Sequence, residues 1–334
     1  REEIDLIDKE IGKQIQQRFK VVEKLSEIKK IKNIPITDYK REEEIINKLT
    51  KEYNHIDKNI LKEIYQTIFG YSKKIQIEKN KQQDIFKELK NKPIMIAGPC
   101  SVESEEQIVK ISNYLKTKGI KFIRGGIYKP RTNPDAFQGH GIDALDYFRK
   151  IANKNKQFIV SEIMTKQQLD LAYEFIDIIQ IGTRNMASFG FLKEVGKKTA
   201  KDQKPILFKR GMNATIPEFL NAAKYLTKYG NKNVILCLRG IRTFEQIKSS
   251  MRNTPDLASI LELKKSSNLP VIFDSSHACG NTDYITETSK AALTLGADGV
   301  MIEVHNNPKK ALSDGYQSLN FKQFNILLKK ITNS

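Results

Sequence analysis

Apolar positions recur at helical spacing from the start of the chain, where Ile4, Ile7, Ile11, Ile15, Val22, Leu25 and Ile28 predict one long first helix. Pro35 interrupts that pattern, and Thr37 or Asp38 is a suitable N-cap for a second helix. A third helix is expected over 57–78, and the polar stretch 79–92 has the composition of a linker or short connecting helix. Apart from Gly12 and Gly70 this region holds no glycine, and no internal repeat is visible. The reading gives a small all-α three-helix domain over 1–80, a linker over 81–92 and a second domain over 93–334.

From Pro93 the rhythm changes. Short, nearly all-apolar runs alternate with helical stretches: Ile94–Ala97, Ile120–Ile123, Phe158–Val160, Ile176–Ile181, Ile206–Phe208, Val234–Leu238, Val271–Phe273 and Gly299–Ile302. Strands without polar alternation are buried on both faces, as in parallel sheets. Eight βα units over about 240 residues predict an α/β fold of the (β/α)8 barrel type. An open, doubly wound sheet is the competing arrangement. Charged or metal-binding side chains follow every run, and in a barrel those ends converge on one face.

Composition narrows the function. No apolar run is long enough to cross a bilayer and no signal peptide is visible, so no membrane role is expected. The chain opens on Arg1 rather than Met, so its true start is expected to be missing. Three cysteines, Cys100, Cys237 and Cys279, are too few for a disulfide framework and suggest a reducing cytoplasm. The net charge of +18 raises nucleic acid as a partner. Its lysines are spread through every segment and no nucleic-acid motif accompanies them, so no nucleic-acid partner is expected. Only 11 of the 57 cationic residues are arginine. A chain so reliant on lysine keeps arginine where forked contact with carboxylate or phosphate is needed.

Cys100, His277, Glu303 and Asp314 fall after the first, seventh, eighth and eighth strands, which a closed barrel makes neighbours. Thiolate, imidazole and two carboxylates suit a borderline divalent transition metal (Mn, Fe, Co or Zn class) rather than magnesium or calcium. Cys279, two residues past His277, is read as packing. Arg124, Lys129, Arg131, Arg184, Lys209 and Arg239 share the same face. Glu162, Asp274 and Glu303 cannot neutralise six cations plus a metal, so the substrates should be phosphorylated, and at least one should carry a carboxylate.

The segments Ile96-Ala97-Gly98-Pro99-Cys100-Ser101, Lys129-Pro130-Arg131-Thr132, Ile181-Gly182-Thr183-Arg184-Asn185-Met186, Leu238-Arg239-Gly240 and Ser276-His277 resemble 3-deoxy-D-arabino-heptulosonate 7-phosphate (DAHP) synthase, in its compact bacterial branch, over about 93–331. A sister family makes Kdo 8-phosphate and carries an Ala-Asn pair where this chain has Pro130, so the motif favours the DAHP enzyme. The resemblance implies that Cys100, His277, Glu303 and Asp314 hold the metal. It implies that Arg124, Lys129, Arg184, Lys209 and Arg239 hold phosphoenolpyruvate, and that Arg131 and Thr132 hold erythrose 4-phosphate. Lys129 would protonate the new alkoxide.

In the first helix Ile4, Ile11, Arg18 and Leu25 share a heptad position, so Arg18 points into the apolar seam, where a cation without a partner is costly. Lys29 lies on the same face, roughly 16 Å further along. Asp38, Arg41 and Glu42 share a face of the second helix; Ser72 and Gln76, four apart, share one of the third. Cations and polar partners across three helices suggest an anion site. Together with Pro35 and Arg1 they resemble the all-helical chorismate mutase family over 1–80. The resemblance implies a chorismate site of Arg1, Arg18, Lys29, Asp38, Arg41, Glu42, Ser72 and Gln76. Arg1 would reach the partner subunit's site in an interlocked dimer, and Lys29 and Gln76 would stabilise charge on the breaking ether oxygen. The expected whole is a bifunctional enzyme, a homodimer or homotetramer, with feedback inhibition by chorismate or prephenate. Two alternatives remain: a helical domain that only senses those ligands, and a barrel that acts as a Kdo 8-phosphate synthase.

Overall fold

The computed structural model describes residues 1–32, 34–36, 38–131, 133–244 and 252–332. Thr37 and Thr132 lie outside the described residues. The chain separates into two compact units, Arg1–Lys87 and Glu88–Ser334.

The first unit is built from α1 (Glu2–Ile31), α2 (Tyr39–Glu52) and α3 (Lys58–Lys90). Asp38 caps α2 by accepting the Arg41 N–H at 3.0 Å. The stretch expected as linker or short connecting helix instead continues α3 to Lys90. It is made of Lys, Gln, Glu and other residues that tolerate a helix, with neither Gly nor Pro to stop it, and Ile85 gives it a buried apolar contact. The buried set is small: Val22, Ser26, Leu61, Phe69, Ser72, Gln76 and Ile85. Ile4, Leu6, Ile7 and Ile11 of α1 stay exposed, as do Ile60 and Ile64 of α3.

The second unit runs β1 (Ile94–Gly98), α4 (Glu105–Thr117), β2 (Phe122–Arg124), α5 (Ile142–Asn155), β3 (Phe158–Glu162), α6 (Lys166–Ala172), β4 (Ile178–Ile181), α7 (Phe189–Thr199), β5 (Ile206–Lys209) and α8 (Ile216–Thr227). It continues through β6 (Val234–Leu238), α9 (Ala258–Ser266), β7 (Val271–Asp274), α10 (Ser275–Cys279), α11 (Thr282–Thr294), β8 (Gly299–Glu303) and α12 (Phe321–Thr332). The eight strands form a closed parallel barrel in chain order, as expected, and the open sheet is excluded. β8 returns to β1 with Ile94 opposite Gly299 and Gly98 opposite Glu303, which brings the ends of the first and last strands side by side. Phe148, Phe219 and Phe324 from the helices are fully buried between the strands and the outer ring.

Two strand starts differ from expectation, and one short helix is added. β2 begins at Phe122 because Ile120 donates its N–H to Leu115 O, finishing the end of α4. β4 begins at Ile178 because Asp177 is drawn off to accept the Ile159 N–H and pair with Arg149. The short α10 forms where Asp274 caps the backbone N–H of His277 at 3.1 Å. At Gly98, with φ at +150°, a Cβ would stand 2.1 Å from Arg124 O, so only glycine lets β1 and β2 approach so closely at the barrel mouth.

Candidate active sites

Strand ends carry the first site. Cys100 follows β1, Glu303 ends β8 and Asp314 lies in the loop beyond it; one ligand atom from each lies within 4.8 Å of the others. Cys100 Sγ is 3.3 Å from Asp314 Oδ2. His277, on α10, presents Nε2 at 3.5 Å from Glu303 Oε1 and 3.9 Å from Asp314 Oδ2. The structure thus clusters three of the four residues that the sequence singled out and sets the fourth, His277, beside two of them. Atoms bound to one small ion at about 2.0–2.3 Å stand only a few ångströms apart. One sulfur, one imidazole nitrogen and two carboxylates at these separations fit a divalent transition ion. His277 Nδ1 lies 2.9 Å from Asp274 Oδ2, at an angle outside hydrogen-bond geometry. Asp274 is itself held by the Lys209 ammonium.

The electrostatics suit the same donors. Burial lowers the pKa of His277 despite Asp274 and Glu303 beside it, favouring the neutral, ligating imidazole. Burial works to raise Glu303 and Asp314, but a proton on the adjacent His277 would lower both, and Arg124 beside the first and Arg252 beside the second carry permanent charge; the net shift puts both below the usual carboxylate range. Burial, then Glu303, pushes the Cys100 thiol up to about 12. Lys129 Nζ stands 3.0 Å from that sulfur. Burial pulls the lysine down, but the Cys100 sulfur opposes it and the net shift is upward, so Lys129 keeps its proton.

Above this cluster opens a cavity of about 480 Å3 whose walls include Lys129, Arg131, Arg184, Lys209, Arg239, Arg252 and Tyr316. Arg124 lies beneath, its NH1 on Glu303 Oε1 at 2.5 Å and its NH2 3.4 Å from the Cys100 carbonyl, while its buried Nε has no partner. Arg239 is buried and its NH1 has no partner; burial, against the pull of Asp274 and helped by the neighbouring Arg252 and Arg184, lowers its pKa to about 10. A buried guanidinium nitrogen left unpaired beside other cations is the signature of an anion subsite. The sequence reading missed Arg252 and Gln317. Neither sits at a strand end; scarcity of arginine was the only signal for the first, and the second had none.

The helical unit gathers only part of its predicted set. Arg18 NH1 donates to Ser72 Oγ at 2.5 Å, and its guanidinium lies 5.5 Å from the Phe69 ring centre. Gln76 donates to Ser72 O at 3.2 Å, while its buried Oε1 has no partner. Lys29 instead donates to the carbonyls of Pro35 and Ile36 at 3.1 and 2.9 Å. Asp38 is the cap of α2, Arg41 reaches Glu44, and Glu42 pairs with Lys73 at 2.8 Å, a lysine the sequence reading passed over. Arg1 is exposed.

The DAHP synthetase I family matches residues 74–334, and chorismate mutase type II matches residues 1–77. A phospho-2-dehydro-3-deoxyheptonate aldolase of Thermotoga maritima is 44% identical over 237 residues, 71% of this chain and 68% of that protein. A 2-dehydro-3-deoxyphosphooctonate aldolase of Francisella tularensis is 27% identical over 259 residues, 71% of this chain and 90% of that one. The crystal structure of a Thermotoga maritima DAHP synthase superposes with a TM-score of 0.68 at 44% identity, covering 72% of this chain and 68% of that chain. A truncated form of the Thermotoga maritima synthase gives 0.65 at 41%, covering 72% and 85%.

Proposed function

The chain belongs to the DAHP synthetase I family and carries a chorismate mutase type II domain in its first 77 residues, and from that premise we propose how its residues divide two reactions. The barrel condenses phosphoenolpyruvate with erythrose 4-phosphate and water to DAHP and phosphate; the helical unit rearranges chorismate to prephenate.

In the barrel, Cys100, His277, Glu303 and Asp314 would hold the divalent ion, which when bound supplies Lewis acidity for the aldehyde oxygen. Arg184, Arg239 and Lys209 seat the phosphate and carboxylate of phosphoenolpyruvate, with Arg124 and Lys129 below them. Arg131 and Thr132 receive erythrose 4-phosphate. Lys129, kept protonated beside Cys100, delivers its Nζ proton to the alkoxide formed as the enol carbon attacks the aldehyde. The convergence of Cys100, Glu303 and Asp314 within 4.8 Å beneath an arginine-lined cavity carries this reading. The 44% relative against 27% for the phosphooctonate aldolase favours the four-carbon aldose. Phosphate release from phosphoenolpyruvate, measured with erythrose 4-phosphate and with arabinose 5-phosphate, with and without chelator, tests it. Preference for the five-carbon sugar, or indifference to the chelator, would overturn it.

In the helical unit no acid, base or nucleophile is needed for a pericyclic rearrangement. Arg18, Arg41 and, from a partner subunit, Arg1 would clamp the two carboxylates in a compact conformer. Asp38, Glu42 and Ser72 would orient the clamp, and Lys29 and Gln76 would stabilise charge on the ether oxygen. Substrate would replace the loop carbonyls that Lys29 now meets and supply a partner for Gln76. The exposed apolar residues of α1 and α3 argue for a homodimer through this unit, with a homotetramer as the larger assembly. Among the described residues no helix is long and apolar enough to cross a membrane, which accords with a cytoplasmic enzyme. Feedback inhibition by chorismate or prephenate belongs to the same proposal.

A further inference from the structure

Gln317 is 0% exposed. Its Nε2 donates to Glu303 Oε2 at 2.7 Å, and its Oε1 accepts from Arg252 NH1 at 3.1 Å. The same NH1 stands 3.3 Å from Asp314 Oδ2. A guanidinium can only donate and an ionised carboxylate can only accept, so the amide between them has one permitted orientation. Glu303 is gripped at both oxygens, since Arg124 NH1 takes Oε1 at 2.5 Å. Asp314 is gripped at Oδ2 by Arg252 on one side and faced by Cys100 Sγ at 3.3 Å on the other.

We propose that Arg252 and Gln317 are positioning residues of the metal centre, aiming Glu303 through the buried amide and Asp314 directly so that both carboxylates meet at the Cys100 sulfur. The inference rests on the assignment of Cys100, His277, Glu303 and Asp314 as the ion's ligands. Two surface carboxylates would sample several rotamers; here each is tied to a group that cannot turn without losing its own partner. Charge gives a second reason. A thiolate and two carboxylates outweigh a divalent ion, and a net negative centre would repel a phosphorylated substrate. Arg252 against Asp314 and Arg124 against Glu303 offset that surplus while leaving the cavity wall cationic.

The test is Co2+ titration of the metal-stripped, full-length chain, followed by thiolate-to-cobalt absorption and by competition with a chelator. Gln317→Leu removes the amide bridge, and Co2+ affinity should fall about 10–100-fold, the usual cost of losing a group that orients a ligand. Arg252→Lys keeps the charge but replaces the rigid planar guanidinium, whose NH1 meets both acceptors, with a shorter, freely rotating ammonium, and should weaken Co2+ by about tenfold; circular dichroism of the metal-free chain reports whether each variant folds. Gln317 is buried, so Arg252→Lys decides if Gln317→Leu does not fold. Unchanged Co2+ affinity in folded variants would overturn the inference, as would an Arg252→Lys chain whose only defect is a raised KM for phosphoenolpyruvate. A parent chain that shows no cobalt–thiolate band would instead remove the ligand assignment beneath it.

Discussion

Lys129 and Arg239 show how individual residues are held out of equilibrium comfort for chemistry. Lys129 is buried with its Nζ 3.0 Å from Cys100 Sγ, a geometry that suits the proton delivery proposed for it. Lys129→Met should lower kcat about 10²–10⁴-fold, the usual range for losing a placed acid, while Co2+ affinity changes little; a variant with near-normal turnover would remove Lys129 from the proton's path. Arg239 is costlier at rest. Its NH1 is buried without a partner, and an unpaired buried cation destabilises the empty fold. Arg239→Met should therefore raise the melting temperature of the substrate-free enzyme by about 2–4 °C, the shift that about 1 kcal/mol gives a domain of this size, while phosphoenolpyruvate binding is lost. Calorimetry and steady-state kinetics on one preparation read both. A lower melting temperature would mean that the guanidinium is satisfied in the empty state.

At the scale of elements, the barrel is closed at its other end by Asp298, just ahead of β8. Its backbone joins β7 and β1 through Val271 O and Ile94 N, and its carboxylate accepts the Val271 N–H at 2.7 Å, Lys264 at 3.0 Å, and Lys92. Burial tends to raise this carboxyl, but Lys92, the Val271 N–H and Lys264 outweigh it, and the pKa is lowered. A depressed carboxyl contributes stability above its unfolded value of about 3.9 and loses it as pH falls through the folded value. Asp298→Ala should cost about 1–3 kcal/mol at neutral pH, because it strands a buried N–H, and the difference from the parent should shrink below about pH 4; denaturant titrations at both pH values measure it. The eight strands were legible because each is apolar on both faces, and strand identity then put Cys100, His277, Glu303 and Asp314 on neighbouring ends. Boundaries were less legible. Asp177 and Ile120 spend their backbone or side chains on neighbouring elements, which periodicity cannot reveal, and the polar end of α3 looked like a linker because apolar residues are sparse there. Arg252 and Gln317 lie between the named strands and helices, where no period marks a position, so their place beside Glu303 and Asp314 emerges only from coordinates.

For the whole molecule, two chemistries in one chain should be separable by substitution, since one depends on a thiolate-bearing ion site and the other on a cation clamp without one. Cys100→Ala should abolish phosphate release from phosphoenolpyruvate and leave prephenate formation intact; Arg18→Ala should do the reverse. The helical unit adds a constraint that the barrel lacks. Among the described residues the three helices bury only a handful of side chains, while Ile7 and Ile11 remain 54% and 51% exposed, and about 25 cal/mol for each Å2 of apolar surface makes such a face a driving force for association. If a second copy covers it and contributes Arg1 to the chorismate site, then a charge placed there should cost the mutase without touching the barrel's chemistry. Ile11→Lys should therefore shift the full-length chain toward smaller species in sedimentation and lower prephenate formation, with metal-dependent phosphate release retained. Smaller species that still rearrange chorismate at the parent rate would show that each helical unit is complete alone and that Arg1 serves no partner.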